Sequence, residues 1–275
     1  MIWYMAVSRK NFMKEKTDSR LFKLYDTLLP YIVVLIFLLF WQLSIRAGWV
    51  SSKKLAPPLD VLMTFINKLS NTRPDGATLQ VNILQSLKLS LSGLFLGVAI
   101  GTPLGLLMGW YKPIERIVKP IFELLRPIPA IAWIPLTILW IGVGDPAKIM
   151  IIFFSAFVPC VLNSQSGIKQ SKQVLINLAK TFGASNFESF VRIGIPSAMP
   201  MVFAGVRIAL GNAWATLVAA ELLAANAGLG YMITLGRQFG KPDLIILGMV
   251  VIGVLGFLFT YTFEKVEKKL LGWRL

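Results

Sequence analysis

Arg207 and Glu221 are ionisable residues set inside a long apolar run, which limits what they could do. They are separated by close to four helical turns, so they share roughly one helix face about 21 Å apart, too far to pair with each other. Ionisable groups inside a bilayer mark ion routes and gates. Arg207 therefore reads as a residue for gating or anion passage, and Glu221 as either that or a group near the outer interface. A second unusual stretch is Arg126-Pro127-Ile128-Pro129, followed by Trp133-Ile134-Pro135. Prolines 127, 129 and 135 free backbone carbonyls, which a membrane tolerates only inside protein or beside a watery cavity. That stretch is either part of a passage or a kinked packing helix.

Much other chemistry is closed off. The chain has no histidine and a single cysteine, Cys160, among apolar neighbours. Histidine catalysis is thus excluded, and a His or Cys metal site or an internal disulfide finds no support. Cys160 reads as a small packing residue. No G-x-x-x-x-G-K-[ST] phosphate loop exists, since Gly240-Lys241 is followed by Pro242. Any nucleotide hydrolysis must come from another chain.

Hydrophobic residues make up 56% of the 275 positions and charged ones 15%, far from a soluble domain. The apolar residues fall in long blocks, which fit membrane helices better than a barrel. The expected fold class is an all-α membrane protein with six transmembrane helices, at about 28–46, 83–109, 120–142, 147–166, 198–225 and 243–263. A cytoplasmic N-terminal segment, 1–27, precedes the transmembrane domain, 28–275. The first block is too long for a signal-peptide core and reads as a retained span. The net charge of +15 is gathered in short segments beside the apolar blocks, as the positive-inside rule expects. It lacks the basic groove with interleaved aromatics that nucleic acid requires. Both termini and the segment 167–197 are expected in the cytoplasm. Pro57-Pro58-Leu59-Asp60 should open a short amphipathic helix in the first outer loop, and Asn226 to Gly230 should open another outer loop.

Gly93, Gly97, Gly101, Gly105 and Gly109 recur at every fourth position of the second span. That spacing makes a stripe on which a second helix can approach closely; the alternative is a stripe lining a pore. Pro103 lies within it and should kink the helix.

Between the fourth and fifth apolar blocks, residues 177–196 are polar and basic, with Gly183 followed ten positions later by Ile193-Gly194-Ile195-Pro196. This segment resembles the cytoplasmic signature loop of ABC importer permeases: E-A-A, three residues, Gly, nine residues, Ile-x-Leu-Pro. Ala179, Gly183, Ile193 and Pro196 match at the family spacing. Asn177, Leu178 and Ile195 depart from it, and the missing glutamate removes any ionic contact from that position. Leu125 to Leu136, Gly142-Val143-Gly144, Gly205-Val206-Arg207 to Trp214, and Ala220-Glu221 to Tyr231 are similar to the nitrate, sulfonate and taurine branch. The resemblance implies a type I importer permease fold in an inner membrane. It also implies a second permease copy, two cytoplasmic ABC ATPase subunits that bind ATP and Mg, and usually an extracytoplasmic substrate-binding protein; one coupling loop per chain against a two-site ATPase pair makes a homodimer the expectation, with a heterodimer the alternative. Asn177, Leu178, Ala179, Phe182, Gly183, Ala184, Ser185, Ile193 and Pro196 would form the ATPase-coupling loop, with a short helix at about Val174 to Phe182. The cargo would be a small anion. A secondary transporter and an intramembrane enzyme are the rival classes. The first would favour an inverted repeat and midplane ionisable pairs, and the second a catalytic constellation; neither is found in the sequence.

Overall fold

In lipid, backbone N–H and C=O groups find partners only within a helix or a closed barrel, and long apolar blocks without alternation leave the helix. The structure, a computed structural model, describes residues 20–224 and 226–272, and every regular element among them is helical. Residues 1–19 of the expected cytoplasmic segment, Ala225 and the last three residues lie outside the described part.

The chain divides into two compact units, Met1–Met63 and Thr64–Leu275. In the first, α1 (Arg20–Arg46) contains an apolar stretch, Leu28–Arg46, of mean hydropathy 2.3. Most of its large side chains from Leu28 to Leu43 are exposed, as a helix bathed in lipid requires. The amphipathic helix α2 spans Pro58–Lys68, with Asp60 in its first turn, where the helix dipole favours an acid.

The second unit runs α3 (Leu79–Trp110), α4 (Lys112–Leu125), a 3-10 turn (Ala130–Trp133), α5 (Ile134–Ile141), α6 (Asp145–Lys169), α7 (Gln173–Thr181) and α8 (Asn186–Ser189). A π-helical turn (Phe190–Gly194), α9 (Ile195–Ala224), α10 (Leu229–Gln238) and α11 (Pro242–Leu270) complete it. Its centre is α6 clasped between α3 and α9. The five glycines of α3 all face α6. A Cβ on Gly97 would fall 2.6 Å from the Ala156 Cβ, and one on Gly101 would fall 2.9 Å from the Phe157 carbonyl oxygen. Gly93, Gly105 and Gly109 meet Ile152, Val161 and Ile168 in the same way. The seam therefore draws two backbones together where dispersion must replace the hydrophobic drive. On the other side of α6, Gly167 receives Ala198 and Met201 of α9.

The expected third span, 120–142, is not one helix. Its place is taken by α4 and by the 3-10 turn with α5, bent by 84° at the break between them. Pro127 and Pro129 offer no N–H to carry the ladder across it. Among the described residues, five helices are long and apolar enough to cross a membrane, and the bent pair makes up to six. The fifth span begins earlier than expected: helical backbone is continuous from Asn186 through the π turn to Leu222. Likewise the outer loop contains α10, and the expected tail from Glu264 continues α11 as far as Leu270.

Candidate functional site

The segment between α6 and α9 is a helix held away from the bundle. α7 buries Ile176 and exposes Val174, Leu175 and Leu178, with Phe182 just beyond its end; Val174 is 76% and Phe182 83% exposed. Positions 174, 178 and 182 are four apart and share one face. α7 stops at Gly183, whose φ of +85° is left-handed. There the N–H of Gly183 donates to the Lys180 carbonyl at 2.9 Å and that of Ala184 to the Ala179 carbonyl at 3.0 Å. This is the Schellman arrangement, which favours glycine because a Cβ is unwelcome at that φ. Nothing else lies within 4 Å of a Cβ built there, so the surface around Gly183 is open.

Ser185 then caps α8, accepting the Glu188 N–H at 3.1 Å. Through the π turn, the Ile195 N–H reaches back to the Phe190 carbonyl, and Pro196 follows with no N–H of its own. Ile193 is half-buried, and Gly194 lies against the Trp110 ring, where a Cβ would come within 2.8 Å. Trp110 Nε1 donates to Asn186 Oδ1 at 3.3 Å, and the Phe190 ring lies 5.5 Å from that of Trp110. Asn177 accepts from Gln173 through its side chain and from Thr181 through its carbonyl. Sequence spacing located these residues, although it placed a loop where α8 and the π turn stand.

A cavity of about 380 Å³ lies under the break between α4 and α5. Arg126 and Pro129 line it, together with Ser155 of α6 and Asn212 and Thr216 of α9. Trp133 stacks on Phe154 at 5.0 Å beside it. Pro127, Pro135, Arg207 and Glu221 lie outside this lining. Pro135 sits in the first turn of α5, and Pro127 in the turn after Arg126. Arg126 is exposed and pairs with Glu123 at 3.2 Å. Arg207 pairs with Glu267 of α11. The sequence assigned Glu267 to a tail beyond the last span, whereas the length of α11 brings it level with Arg207.

Glu221 belongs to a buried polar network at the opposite end of the bundle from α7. Its carboxylate accepts the Ser86 hydroxyl at 2.7 Å and the Gly230 N–H at 2.8 Å. Ser86 in turn accepts the Leu229 N–H at 2.9 Å, and Asn82 accepts the Gly228 N–H at 3.0 Å. Asn82 also donates to Asp75 at 2.6 Å, and Asp75 is paired with the buried Lys68. A Cβ on Gly228, whose φ is +121°, would land on the Glu221 carboxylate. The network fixes the turn from α9 into α10. Asn82 and Ser86 escaped sequence reasoning; their spacing of four on an otherwise apolar helix was the available signal. Among the described residues, no group of three His, Cys, Asp or Glu could hold a metal ion.

The family model described as the binding-protein-dependent transport system inner membrane component matches residues 101–270. The chain belongs to that family. It is a multi-pass inner-membrane permease of the ABC importer class. The permease is 35% identical to the taurine transport system permease protein of Escherichia coli over 236 residues, 85% of each chain. It is 32% identical to a Bacillus subtilis permease protein named for aliphatic sulfonate transport, over 90% of this chain and 86% of that one. It is also 33% identical to the bicarbonate transport system permease protein of Synechocystis, over 85% of each. The permease has the fold of an inward-facing methionine ABC transporter subunit, with TM-score 0.59, 20% identity, and coverage of 68% of this chain and 94% of that one. An amino acid ABC transporter gives TM-score 0.59 at 16% identity, over 79% and 98%.

Proposed function

We propose that this permease forms the passage for a small anion of the sulfonate, taurine or bicarbonate kind, handed over by an extracytoplasmic binding protein. Two ATPase subunits, which carry the ATP and Mg, drive it through α7 and the turn at Gly183. A second copy of the chain completes the passage as a homodimer. Both termini and α7 face the cytoplasm, where the basic segments cluster.

The observation that carries this reading is the shape of the α7 segment. A nine-residue helix exposes Val174, Leu178 and the neighbouring Phe182 as one apolar face and ends at an open glycine. An amphipathic helix of this kind is what a hydrophobic groove on a partner accepts. The anionic cargo is supported by the names of the relatives and by Arg126 at the cavity.

Gly183→Trp tests it. A side chain at φ +85° costs roughly 1–2 kcal/mol locally, which the membrane core does not feel, while bulk there obstructs docking. Reconstituted with the binding protein and ATPase, the variant should lose uptake and cargo-stimulated ATP hydrolysis together and still purify folded. Wild-type uptake with an unchanged ATPase response would overturn the coupling role.

A further inference from the structure

α4 carries a polar stripe that the proposed passage leaves unused. Lys112, Arg116, Lys119 and Glu123 recur at intervals of four, three and four, and so lie along one face. With Glu115 and Pro120 they line an open groove. Arg126 extends the row just beyond the helix. The acids in the row are engaged: Glu115 by Lys169 at 2.5 Å and Gln165 at 3.1 Å, and Glu123 by Arg126 at 3.2 Å. The face is therefore net basic.

Depth decides what that face meets. Phe122 packs on Phe157 with ring centroids 6.2 Å apart, and Phe157 is the middle of α6, about 18 Å from either end. Glu123 and Arg126 thus stand near mid-span, with side chains 45% and 44% exposed. Facing lipid at that depth, a charge costs roughly 2.5–3.5 kcal/mol or more; facing water it costs little. Ile117, Ile121 and Leu124, also exposed, centre about 135° round the helix from the stripe. One face is built for an apolar neighbour and the other for water.

We propose that Lys112, Arg116, Lys119 and Arg126 form a cationic ladder on the release side of the passage, along which an oxyanion leaves the cavity for the cytoplasm. The proposal rests on the import reading above. Along the helix the steps are about 6, 4.5 and 10.5 Å, comparable with the Debye length of about 8 Å. The field of each cation therefore overlaps the next, and no single rung holds the anion tightly. Several weak sites in series are what release requires.

The test uses the assembled complex carrying Lys119→Cys in a Cys160→Ser background. It compares an anionic with a cationic methanethiosulfonate of similar size, with Lys269→Cys at the exposed end of α11 as the reference. The anionic reagent should react faster at position 119 by about tenfold relative to the reference. Adding Lys112→Gln and Arg116→Gln should bring that ratio close to one. Reaction with N-ethylmaleimide but with neither aqueous reagent would place the stripe in lipid and overturn the proposal. Equal reaction with both reagents would overturn it too. Uptake of radiolabelled taurine, methanesulfonate and bicarbonate by the same complex separates the two readings. Loss of the ratio in an importing complex refutes the ladder alone, whereas a preserved ratio with no anion uptake refutes anion import.

Discussion

Replacing Gly97 by alanine should loosen the α3–α6 seam by an amount the geometry sets. The new Cβ would stand 2.6 Å from the Ala156 Cβ and 3.0 Å from the Phe157 nitrogen. Carbon atoms rest at about 3.5–4.0 Å, so the helices must part by roughly 1 Å, and a gap of that size forfeits about a quarter to a half of each contact's well. Overpacking of this kind costs about 1–3 kcal/mol. Gly97→Leu should cost more and reduce assembly outright. Gly253 of α11, where a Cβ meets nothing within 4 Å, is the internal control, and Gly253→Ala should not lower stability, since a helix interior favours alanine over glycine by about 0.5–1 kcal/mol. The assay is survival of the purified permease after heating in detergent, read by size-exclusion chromatography, alongside uptake by whatever folds. Gly97→Ala should lower the midpoint without altering substrate preference. Wild-type stability of Gly97→Leu with changed preference would refute the packing argument and return the glycine stripe to a passage wall.

Glu221→Ala should leave the Ser86 hydroxyl and Gly230 N–H without their acceptor, at about 1–3 kcal/mol apiece; Glu221→Gln should be milder. Proteolysis at residues 226–230 and thermal survival measure this, and an unchanged alanine variant would contradict it. Lys180→Cys in a Cys160→Ser background should resist impermeant reagents in intact cells and react in inverted vesicles; labelling from outside would reverse the topology. Native mass measurement of the working complex should return two copies of this chain. A single copy, or a different permease beside it, would end the homodimer.

Period and composition were enough to find the helices, because a bilayer leaves few other structures available to long apolar runs. The spacing from Ala179 to Pro196 likewise located the α7 segment, since glycine and proline constrain the backbone wherever they stand. Whether a helix continues through a polar stretch was harder to read. Asn186 to Gly194 looks like loop by polarity, yet Ser185 caps it and Trp110 packs on it from a distant part of the chain. The break at Pro127 and Pro129 was visible as prolines, but its 84° bend depends on what packs below it. Partners across the bundle were invisible. Glu221 gave no hint of Ser86, nor Arg207 of Glu267, because both pairings depend on where helices lie side by side.

Continuity from Asn186 to Leu222 makes that stretch a rod of 37 residues, about 55 Å long. One tip hangs beside α7. The other is moored by hydrogen bonds to Glu221 from the Ser86 hydroxyl and the Gly230 N–H. Such a beam acts as a lever with its fulcrum at the moored end. If that mooring holds, a swing of about 5° there moves the free tip by roughly 5 Å, close to one helical turn. The buried carboxylate of Glu221, remote from any partner that pulls on α7, would then set where the lever pivots.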